Sequence, residues 1–536
     1  MAKSQKSQDE IVEFLIDFCS VFKIEKPTVC VGIVNIFRNE TFAVLNHLGD
    51  TPAYICGFVG YCPWTPTNFT GIVQFPKPKP PHVTPVPPVP GAPVHRILHL
   101  SDIHVDTLYV EGMNDDCGEP ICCRAANGPG INGSTAAGKW GDYQCDVNML
   151  MFTNMLEYIA NELPPLDYIF WTGDNPPHDV WMQTRETQLN ASLRITNLLD
   201  KYFPQVPKFP CVGNHEGVPV DSFPLPGTPG SHWLYDGLSG YWEDWFGGND
   251  TDAIETFRYG GYYSMQMTPG LRVISLNMNW CNNINAWLIE NVTDPASMLQ
   301  WTIDTLQQSE DIQEKVYIIG HIPPGIEDCI DIWSQQFYQV INRYEDTIVA
   351  AFYGHTHRDH FEVFYTQDGT NRATSVALIT PSSTTYKNQN PSFRIITTDV
   401  ESSYLVEIST YYTDLNEANA NDYPTWKLEY NSTDTYTMTT LFPEDWDNAL
   451  NNIQVNSTMF DVFYQFYYSS SPYPLEHPCD DTCQLSYTCY LQSGTDYLYQ
   501  QCLKKKLTSY HNSNQLTFDN YLEYIQMKSI NNDKVC

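Results

Sequence analysis

Basic residues are scarce in this chain of 536 residues. It contains 28 lysine and arginine residues against 63 aspartate and glutamate residues, which gives a formal net charge of −35 at pH 7. Because a phosphate backbone attracts positively charged surfaces, this balance argues against nucleic acid as a partner. It suits an acidic compartment, where carboxylates become protonated and repel one another less, and equally a surface whose acidity only aids solubility.

Long apolar runs are also lacking. No stretch of 18 apolar residues occurs, so the sequence predicts no membrane-spanning helix. The opening MAKSQKSQDE is polar, and Glu13 and Asp17 interrupt the apolar stretch at 11–22, so no signal peptide is recognisable. The hydrophobic fraction of 42% nevertheless predicts a globular protein of two or three domains with a large core.

Cysteines and glycosylation sequons point to an oxidising compartment. Many of the 16 cysteines lie in close groups. Zinc is the competing use for such cysteine pairs, but no histidine pattern accompanies them. We therefore expect a secreted or lysosomal protein. Without a recognisable signal peptide, either the chain is truncated or mis-started, or its secretion route cannot be read from this sequence. Sequons occur at Asn39, Asn68, Asn132, Asn190, Asn249, Asn291, Asn431 and Asn456.

Composition divides the chain into four parts. Residues 1–75 show apolar spacing typical of helices and predict a small helical domain. Residues 76–95 are rich in proline and predict an extended, semi-rigid linker. In residues 96–400 strand and helix patterns alternate, which indicates an α/β fold. Residues 401–536 predict a helical, cysteine-rich C-terminal region.

Six short segments share one design, an apolar run that ends in Asp, His or Asn. Open α/β sheets bind ligands at the carboxyl ends of their strands, so each segment reads as a buried strand that delivers polar side chains to one edge. The segments are RILHLSDIH at 96–104, DYIFWTGDN at 167–175, KFPCVGNHE at 208–216, LRVISLN at 271–277, KVYIIGHIP at 315–323 and IVAAFYGHTH at 348–357.

The residues at these strand ends are typical metal ligands. Side chains two residues apart at a strand end point the same way, so a D-x-H or H-x-H pair can hold one ion. Mixed nitrogen and oxygen ligands suit zinc, iron or manganese, and two such ions about 3.5–4 Å apart activate a bridging water for attack on phosphorus. The candidate ligands are Asp102, His104, Asp174, Asn214, His321, His355 and His357.

The ordered set D-x-H, GD, GNH, GH and GHTH resembles the calcineurin-like metallophosphoesterase superfamily over residues 96–400. This resemblance implies a sandwich of two mixed β-sheets flanked by helices and two divalent metal ions, with zinc favoured. One metal would be held by Asp102, His104, Asp174 and His357. The other would be held by Asp174 as the bridge, Asn214, His321 and His355.

Further motifs resemble the acid sphingomyelinase family and its phosphodiesterase relatives: TGDNPPHDVW, GNHEGVPV, GHIPPG, YGHTHRDHF and PSSTTYKNQNPSFR. The N-terminal part resembles a saposin domain that lacks its first helix and first two cysteines, which puts autonomous lipid extraction in doubt. By the same resemblance, the expected disulfides are Cys117–Cys122, Cys123–Cys145, Cys281–Cys329, Cys479–Cys483 and Cys489–Cys502. The remaining saposin-like cysteines are Cys19, Cys30, Cys56 and Cys62.

Some cysteines have no assigned partner. Cys56 and Cys62 lack their family partners and could bond to each other. Cys536 has none either, and Cys211 lies in a probable strand, so we expect it to be an inert core thiol.

Two histidines that the metal scheme does not need are candidate catalytic residues. His178 and His215 lie close to ligands in sequence, and a protonated imidazole can give a proton to a leaving alkoxide at mildly acid pH. The family resemblance assigns them leaving-group roles. Alternatively His178 orients Asp179, and His215 orients Asn214. Glu216 is expected to support the site without reacting; Tyr386 is a candidate for a substrate contact.

The leading prediction is a metal-dependent enzyme that cleaves sphingomyelin to ceramide and phosphocholine at acid pH. It implies a sphingolipid or other phosphodiester as partner, transient contact with a membrane surface, and a monomer. The first alternative is the same chemistry on nucleotides or other soluble phosphodiesters. The second is a lipid-binding protein with an inactive phosphoesterase domain, against which the complete ligand set argues. A purple acid phosphatase would need a tyrosine ligand that the GDN segment lacks.

Overall fold

The computed structural model describes residues 5–48, 73–131, 133–248, 251–325 and 328–514. Within them, the strands in chain order are β1 (Val94–Leu100), β2 (Tyr168–Trp171), β3 (Lys208–Pro210), β4 (Tyr263–Thr268), β5 (Leu271–Ser275), β6 (Lys315–Ile319), β7 (Ile348–Tyr353), β8 (His360–Tyr365), β9 (Ala373–Ile379), β10 (Ser392–Asp399), β11 (Leu405–Thr413) and β12 (Trp426–Asn431).

The α-helices are α1 (Gln5–Val21), α2 (Pro27–Leu48), α3 (Met149–Glu162), α4 (Arg185–Tyr202), α5 (Trp233–Tyr241), α6 (Asp252–Gly260), α7 (Met298–Asp311), α8 (Asp331–Arg343), α9 (Leu415–Asn421), α10 (Ser432–Thr435), α11 (Pro443–Val455), α12 (Ser457–Tyr467), α13 (Tyr473–Glu476), α14 (Asp481–Leu491) and α15 (Asp496–Asn514). Short 3-10 helices cover Ala125–Asn127, Met278–Trp280, Ala286–Glu290 and Pro295–Ser297.

Two mixed six-stranded sheets form the centre of the fold. The first has the order β12-β11-β10-β1-β2-β3, and the second has the order β4-β5-β6-β7-β9-β8. Strands β1, β2 and β3 run parallel to one another, as do β5, β6, β7 and β9. The remaining neighbours pair antiparallel. The predicted two-sheet metallophosphoesterase fold is confirmed.

The sheets pack face to face through large apolar side chains. Phe170 of β2 contacts Phe352 of β7, with ring centroids 5.4 Å apart, and Tyr317 of β6, with centroids 6.1 Å apart. All three side chains are buried. Strands buried on both faces read as continuous apolar runs, which is why these segments were recognisable in the sequence. The parallel strands therefore end together at one edge of the sandwich.

The N-terminal part is a hairpin of α1 and α2 joined by the disulfide Cys19–Cys30. Val29 of α2 packs in a buried cluster with Val180 and Trp181 of the loop after β2. Gly32 permits this contact, because a Cβ there would lie 2.4 Å from the backbone oxygen of Trp181. The hairpin therefore packs against the loop that carries His178. The boundaries at 75, 95 and 400 stay predictions.

All five disulfides expected from the family resemblance are formed. Cys211 is buried and free, and burial raises the pKa of its thiol to about 12, which agrees with an inert core position. Cys56, Cys62 and Cys536 lie outside the described residues. None of the described helices has the length and apolar character that crossing a bilayer requires.

Candidate metal centre

All seven predicted ligands meet at the edge where β1, β2, β3, β6 and β7 end. The backbone there is unusual, because five of the seven residues have positive φ angles between 42° and 71°. Residues other than glycine rarely adopt this left-handed conformation, and where they do, the surrounding structure imposes it, often at functional sites. The five residues are Asp102, His104, Asp174, His355 and His357.

Two glycines allow the loops to approach closely. A Cβ on Gly213 would lie 2.1 Å from Oδ1 of Asp174, and a Cβ on Gly354 would lie 2.4 Å from Oδ2 of Asp102. Both distances are far below van der Waals contact. The glycines in the GNH and GHTH motifs therefore create the space in which the carboxylates sit.

The first group comprises one ligand atom from each of Asp102, His104 and His357. These three atoms lie within 4.8 Å of one another. Nδ1 of His104 donates to the carbonyl oxygen of Pro176 at 2.7 Å, and Nδ1 of His357 donates to that of Tyr386 at 2.9 Å. A carbonyl oxygen only accepts, so in each neutral ring the proton is on Nδ1 and the lone pair is on Nε2. The two Nε2 atoms face each other at 3.2 Å.

The second group comprises one ligand atom from each of Asp174, His321 and His355, and these atoms also lie within 4.8 Å of one another. Nδ1 of His321 donates to the carbonyl oxygen of Thr172 at 2.7 Å, so Nε2 carries the lone pair when the ring is neutral. That Nε2 lies 3.0 Å from Oδ1 of Asn214, 3.1 Å from Oδ2 of Asp174 and 3.3 Å from Nδ1 of His355.

When His321 is neutral, the lone pairs converge with no donor between them, which is the arrangement that a cation requires. Asp174 lies next to both groups, with its Oδ2 3.5 Å from Nε2 of His104 and 3.1 Å from Nε2 of His321. A carboxylate in this position can bridge two ions. The donor set of imidazole, carboxylate and amide oxygen therefore fits a dinuclear site, and no thiolate is part of it.

The electrostatics of the buried site favour a positive charge between the carboxylates. Burial raises the pKa of Asp102 to about 6 and lowers the pKa of His357 to about 3. Burial alone would lower the pKa of His321, but the Asp174 and Asp102 carboxylates raise it to about 9. The field that draws a proton to His321 would equally draw a metal cation to the same point.

His178 and His215 lie on the wall of the cleft above these groups. The lining of the cleft includes both histidines, Asp174 and His355. Nε2 of His178 and Nδ1 of His215 are buried without a hydrogen-bond partner among the described residues. Burial lowers the pKa of His215 to about 4, so its imidazole is neutral in the free protein at pH 5.

The contacts around these histidines involve other residues as well. Asp179 pairs with Arg124 at 3.0 Å, and His178 contacts Asp146. The Asn214 amide donates to Asp221 at 2.9 Å. The roles of His178 and His215 stay predictions.

Glu216 joins the loops that carry the ligands. Its carboxylate accepts the backbone N–H groups of Gly213, Asp174 and Asn175 at 2.8–3.1 Å, and the side-chain amide of Asn175 at 2.8 Å. This is the supporting contact expected from the sequence. The ring centroid of Tyr386 lies 4.5 Å from that of His178, next to the cleft.

Three carboxylates at the site were not found from the sequence. Asp146 follows Cys145 in a loop and contacts His178, whereas Asp221 and Asp328 line the cleft beside Asn214 and His355. None follows an apolar strand, so the strand-end pattern could not point to them. The neighbouring disulfide cysteines, Cys145 and Cys329, were the available signal, because they fix the adjacent loop residues.

Comparison with known proteins agrees with this fold. Residues 95–359 match the model of the calcineurin-like phosphoesterase family, and residues 371–509 match that of the acid sphingomyelin phosphodiesterase C-terminal region. Sphingomyelin phosphodiesterase B of Dictyostelium discoideum is 53% identical over 519 residues, which cover 95% of this chain and 81% of the relative.

Two human relatives are also similar. Sphingomyelin phosphodiesterase of Homo sapiens is 40% identical over 91% of this chain and 78% of its own length. Cyclic GMP-AMP phosphodiesterase SMPDL3A of Homo sapiens is 31% identical over 78% of this chain and 91% of its own length. The chain therefore belongs to the sphingomyelin phosphodiesterase family, a family of hydrolytic enzymes built on a calcineurin-like phosphoesterase domain.

Proposed function

We propose that this protein is a two-metal phosphodiesterase that hydrolyses sphingomyelin to ceramide and phosphocholine at acid pH. The observation that carries the proposal is the pair of converging lone-pair groups joined by Asp174. The identity of 53% and 40% to two proteins named sphingomyelin phosphodiesterase supports the choice of substrate.

The proposed metal ions are zinc, since imidazole with carboxylate and amide oxygen suits this ion. Asp102, His104 and His357 would hold one ion, and Asn214, His321 and His355 the other, with Asp174 shared between them. When bound, the ions supply a water of lowered pKa and neutralise charge on the phosphoryl group.

His178 and His215 are the proposed proton donors to the leaving ceramide alkoxide. Both residues line the cleft in which the phosphodiester would lie, and each has a buried ring nitrogen without a hydrogen-bond partner among the described residues. A bound phosphodiester brings a negative charge next to His215, which favours the protonated form of the imidazole. Asp146 accepts from Nδ1 of His178 at 2.7 Å and so turns Nε2 toward the substrate.

The N-terminal hairpin is the proposed contact with the lipid surface. Phe14, Phe18 and Phe22 form a row with ring centroids 6.1 Å and 4.6 Å apart along the chain, and Val21 and Ile24 are exposed beside them. Aromatic and aliphatic side chains exposed on one helix gain free energy when they enter a lipid interface. The contact would be transient, and the working form a monomer.

A secreted or lysosomal location is part of the proposal. It is supported by the six disulfides found among the described residues and by exposed sequon asparagines at Asn39, Asn190 and Asn456. Such a compartment would also supply the acid pH.

The test is a direct comparison of substrates. Purified protein is assayed at pH 5 with sphingomyelin vesicles and, separately, with cyclic GMP-AMP. We expect phosphocholine release from the vesicles and a far smaller rate on the nucleotide. Nucleotide cleavage without phosphocholine release would overturn the proposed substrate.

A further inference from the structure

Two carboxylates that are not proposed ligands, Asp221 and Asp328, lie against the second group of ligand atoms. We propose that Asp328 is a positioning residue, which fixes the ring of His355 and thereby the affinity of the second metal. This inference rests on the two-metal site of the proposed function. It concerns how the chain holds the ion and not which phosphodiester it cleaves.

The contact between Asp328 and His355 determines which nitrogen can bind a metal. Oδ2 of Asp328 lies 3.1 Å from Nε2 of His355. An ionised carboxylate only accepts, so Nε2 carries the ring proton and Nδ1 carries the lone pair. Nδ1 is the atom that lies 3.0 Å from Oδ1 of Asn214 and 3.3 Å from Nε2 of His321, within the ligand group.

Asp221 acts on Asn214 in the same way. Nδ2 of Asn214 donates to Oδ1 of Asp221 at 2.9 Å, which leaves Oδ1 of the amide facing His321. The same Asp221 oxygen accepts Nδ2 of Asn282 at 2.8 Å. Two ligands of the second metal, an amide and an imidazole, are thus each oriented by a carboxylate. Outer carboxylates of this kind fix ring orientation and strengthen the ligand.

A disulfide and backbone hydrogen bonds between two loops hold Asp328 in place. Cys281 and Cys329 form a disulfide, and Asn282 pairs with Cys329 in an antiparallel bridge. The backbone N–H of Asn283 donates to the carbonyl oxygen of Asp328 at 2.8 Å. The carboxylate itself stands at the rim of the cleft and is 39% exposed, so its removal leaves no cavity in the core.

The test compares metal binding in Asp328→Ala, Asp328→Asn and the control Asp311→Asn. Asp311, the last residue of α7, is 44% exposed and pairs with Lys77, so its substitution removes the same charge away from the site. Each protein is dialysed against buffers of defined free zinc, and bound zinc is counted by mass spectrometry. Circular dichroism checks that each variant is folded.

We expect Asp328→Ala to keep one zinc and to bind the second about 10- to 100-fold more weakly. Asp328→Asn, which retains a neutral acceptor, should lie between it and the parent, and Asp311→Asn should match the parent. Two ions bound by Asp328→Ala with parental affinity, or an equal loss in Asp311→Asn, would overturn the proposal.

Metal counting separates this inference from the proposed substrate. A parent chain that binds two zinc ions but leaves sphingomyelin intact would contradict the substrate and still support the role of Asp328 if the variants behave as expected. A parent chain that binds fewer than two equivalents would overturn both.

Discussion

Oδ1 of Asp146 lies 2.7 Å from Nδ1 of His178, and both side chains are buried. Oδ2 of the same carboxylate accepts the backbone N–H of His178 at 2.7 Å. The histidine is thus held at two points, it lines the cleft, and its Nε2 has no hydrogen-bond partner among the described residues. Asp–His pairs of this kind fix the tautomer and the orientation of an imidazole that transfers protons.

Asp146→Asn is expected to slow turnover without loss of metal. Positioned proton transfer contributes about 10²–10⁴-fold to rates, and loss of the carboxylate should cost part of this through a misoriented His178. The measurement is kcat for sphingomyelin in Asp146→Asn, His178→Ala and the double variant. If Asp146 acts only through His178, removing it in addition to His178 has no further effect. The double variant should therefore be no slower than His178→Ala. Multiplicative losses would contradict the pairing.

Asp174 and His215 should separate metal binding from turnover. Asp174→Ala removes the carboxylate shared by the two ligand groups, so we expect loss of bound metal and of activity together. His215→Gln should retain both ions while kcat falls by about 10²–10⁴-fold. Metal content and kcat are measured on the same preparations. Equal metal loss in the two variants would refute the division of roles.

Gly213→Ala should damage the site through steric conflict. The new Cβ would lie 2.1 Å from Oδ1 and 2.5 Å from the backbone nitrogen of Asp174, so the ligand must move. We expect lower metal affinity and a loss of about 1–3 kcal/mol in the free energy of unfolding, as for other overpacked sites. Gly240→Ala is the control, because a Cβ there meets nothing within 4 Å. Parental metal affinity in Gly213→Ala would contradict this packing.

The strand ends could be predicted from the sequence, and the supporting residues could not. Apolar runs such as those before Asp102 and His321 determine buried strands, and parallel strands end at one edge, so the ligands converge wherever the sheet forms. Asp146 reaches His178 across 32 residues, and Asp328 reaches His355 across 27. Such contacts depend on how loops fold over the sheet, which local periodicity does not encode.

The secondary structure of whole regions could be predicted in part, whereas contacts between parts of the chain could not. Residues 401–536, predicted as helical, contain α11 and α12 but also β11 and β12, which extend the first sheet. The packing of Val29 against Trp181 had no signal in the sequence. It follows from close approach at Gly32, which only the tertiary structure reveals.

The packing of the N-terminal hairpin should depend on pH through Glu40. This α2 residue is largely buried beside Ser222 and Trp287, with Arg185 also facing it, and burial raises its pKa from 4.5 to about 7. A raised pKa means that the packed state favours the protonated acid. The stability that the protonated Glu40 contributes is therefore fully present below about pH 4.5, and it is lost as the pH rises through about 7.

Glu40→Gln stays neutral and should flatten this dependence. The measurement is the thermal unfolding midpoint at several values between pH 4.5 and pH 7.5. As the pH rises, the unfolding midpoint of Glu40→Gln should increase relative to that of the parent. Glu13→Gln, a change at an exposed α1 position, is the control and should track the parent. A difference in midpoint that stays constant across this pH range would contradict the raised pKa of Glu40.

The most direct test of the account is hydrolysis of labelled sphingomyelin at pH 5 before and after removal of metal by a chelator. The seven ligands converge on two points, so activity should disappear with the metal and return when about two equivalents of zinc are restored. Phosphocholine release that persists at the same rate in metal-free protein would contradict the two-metal mechanism.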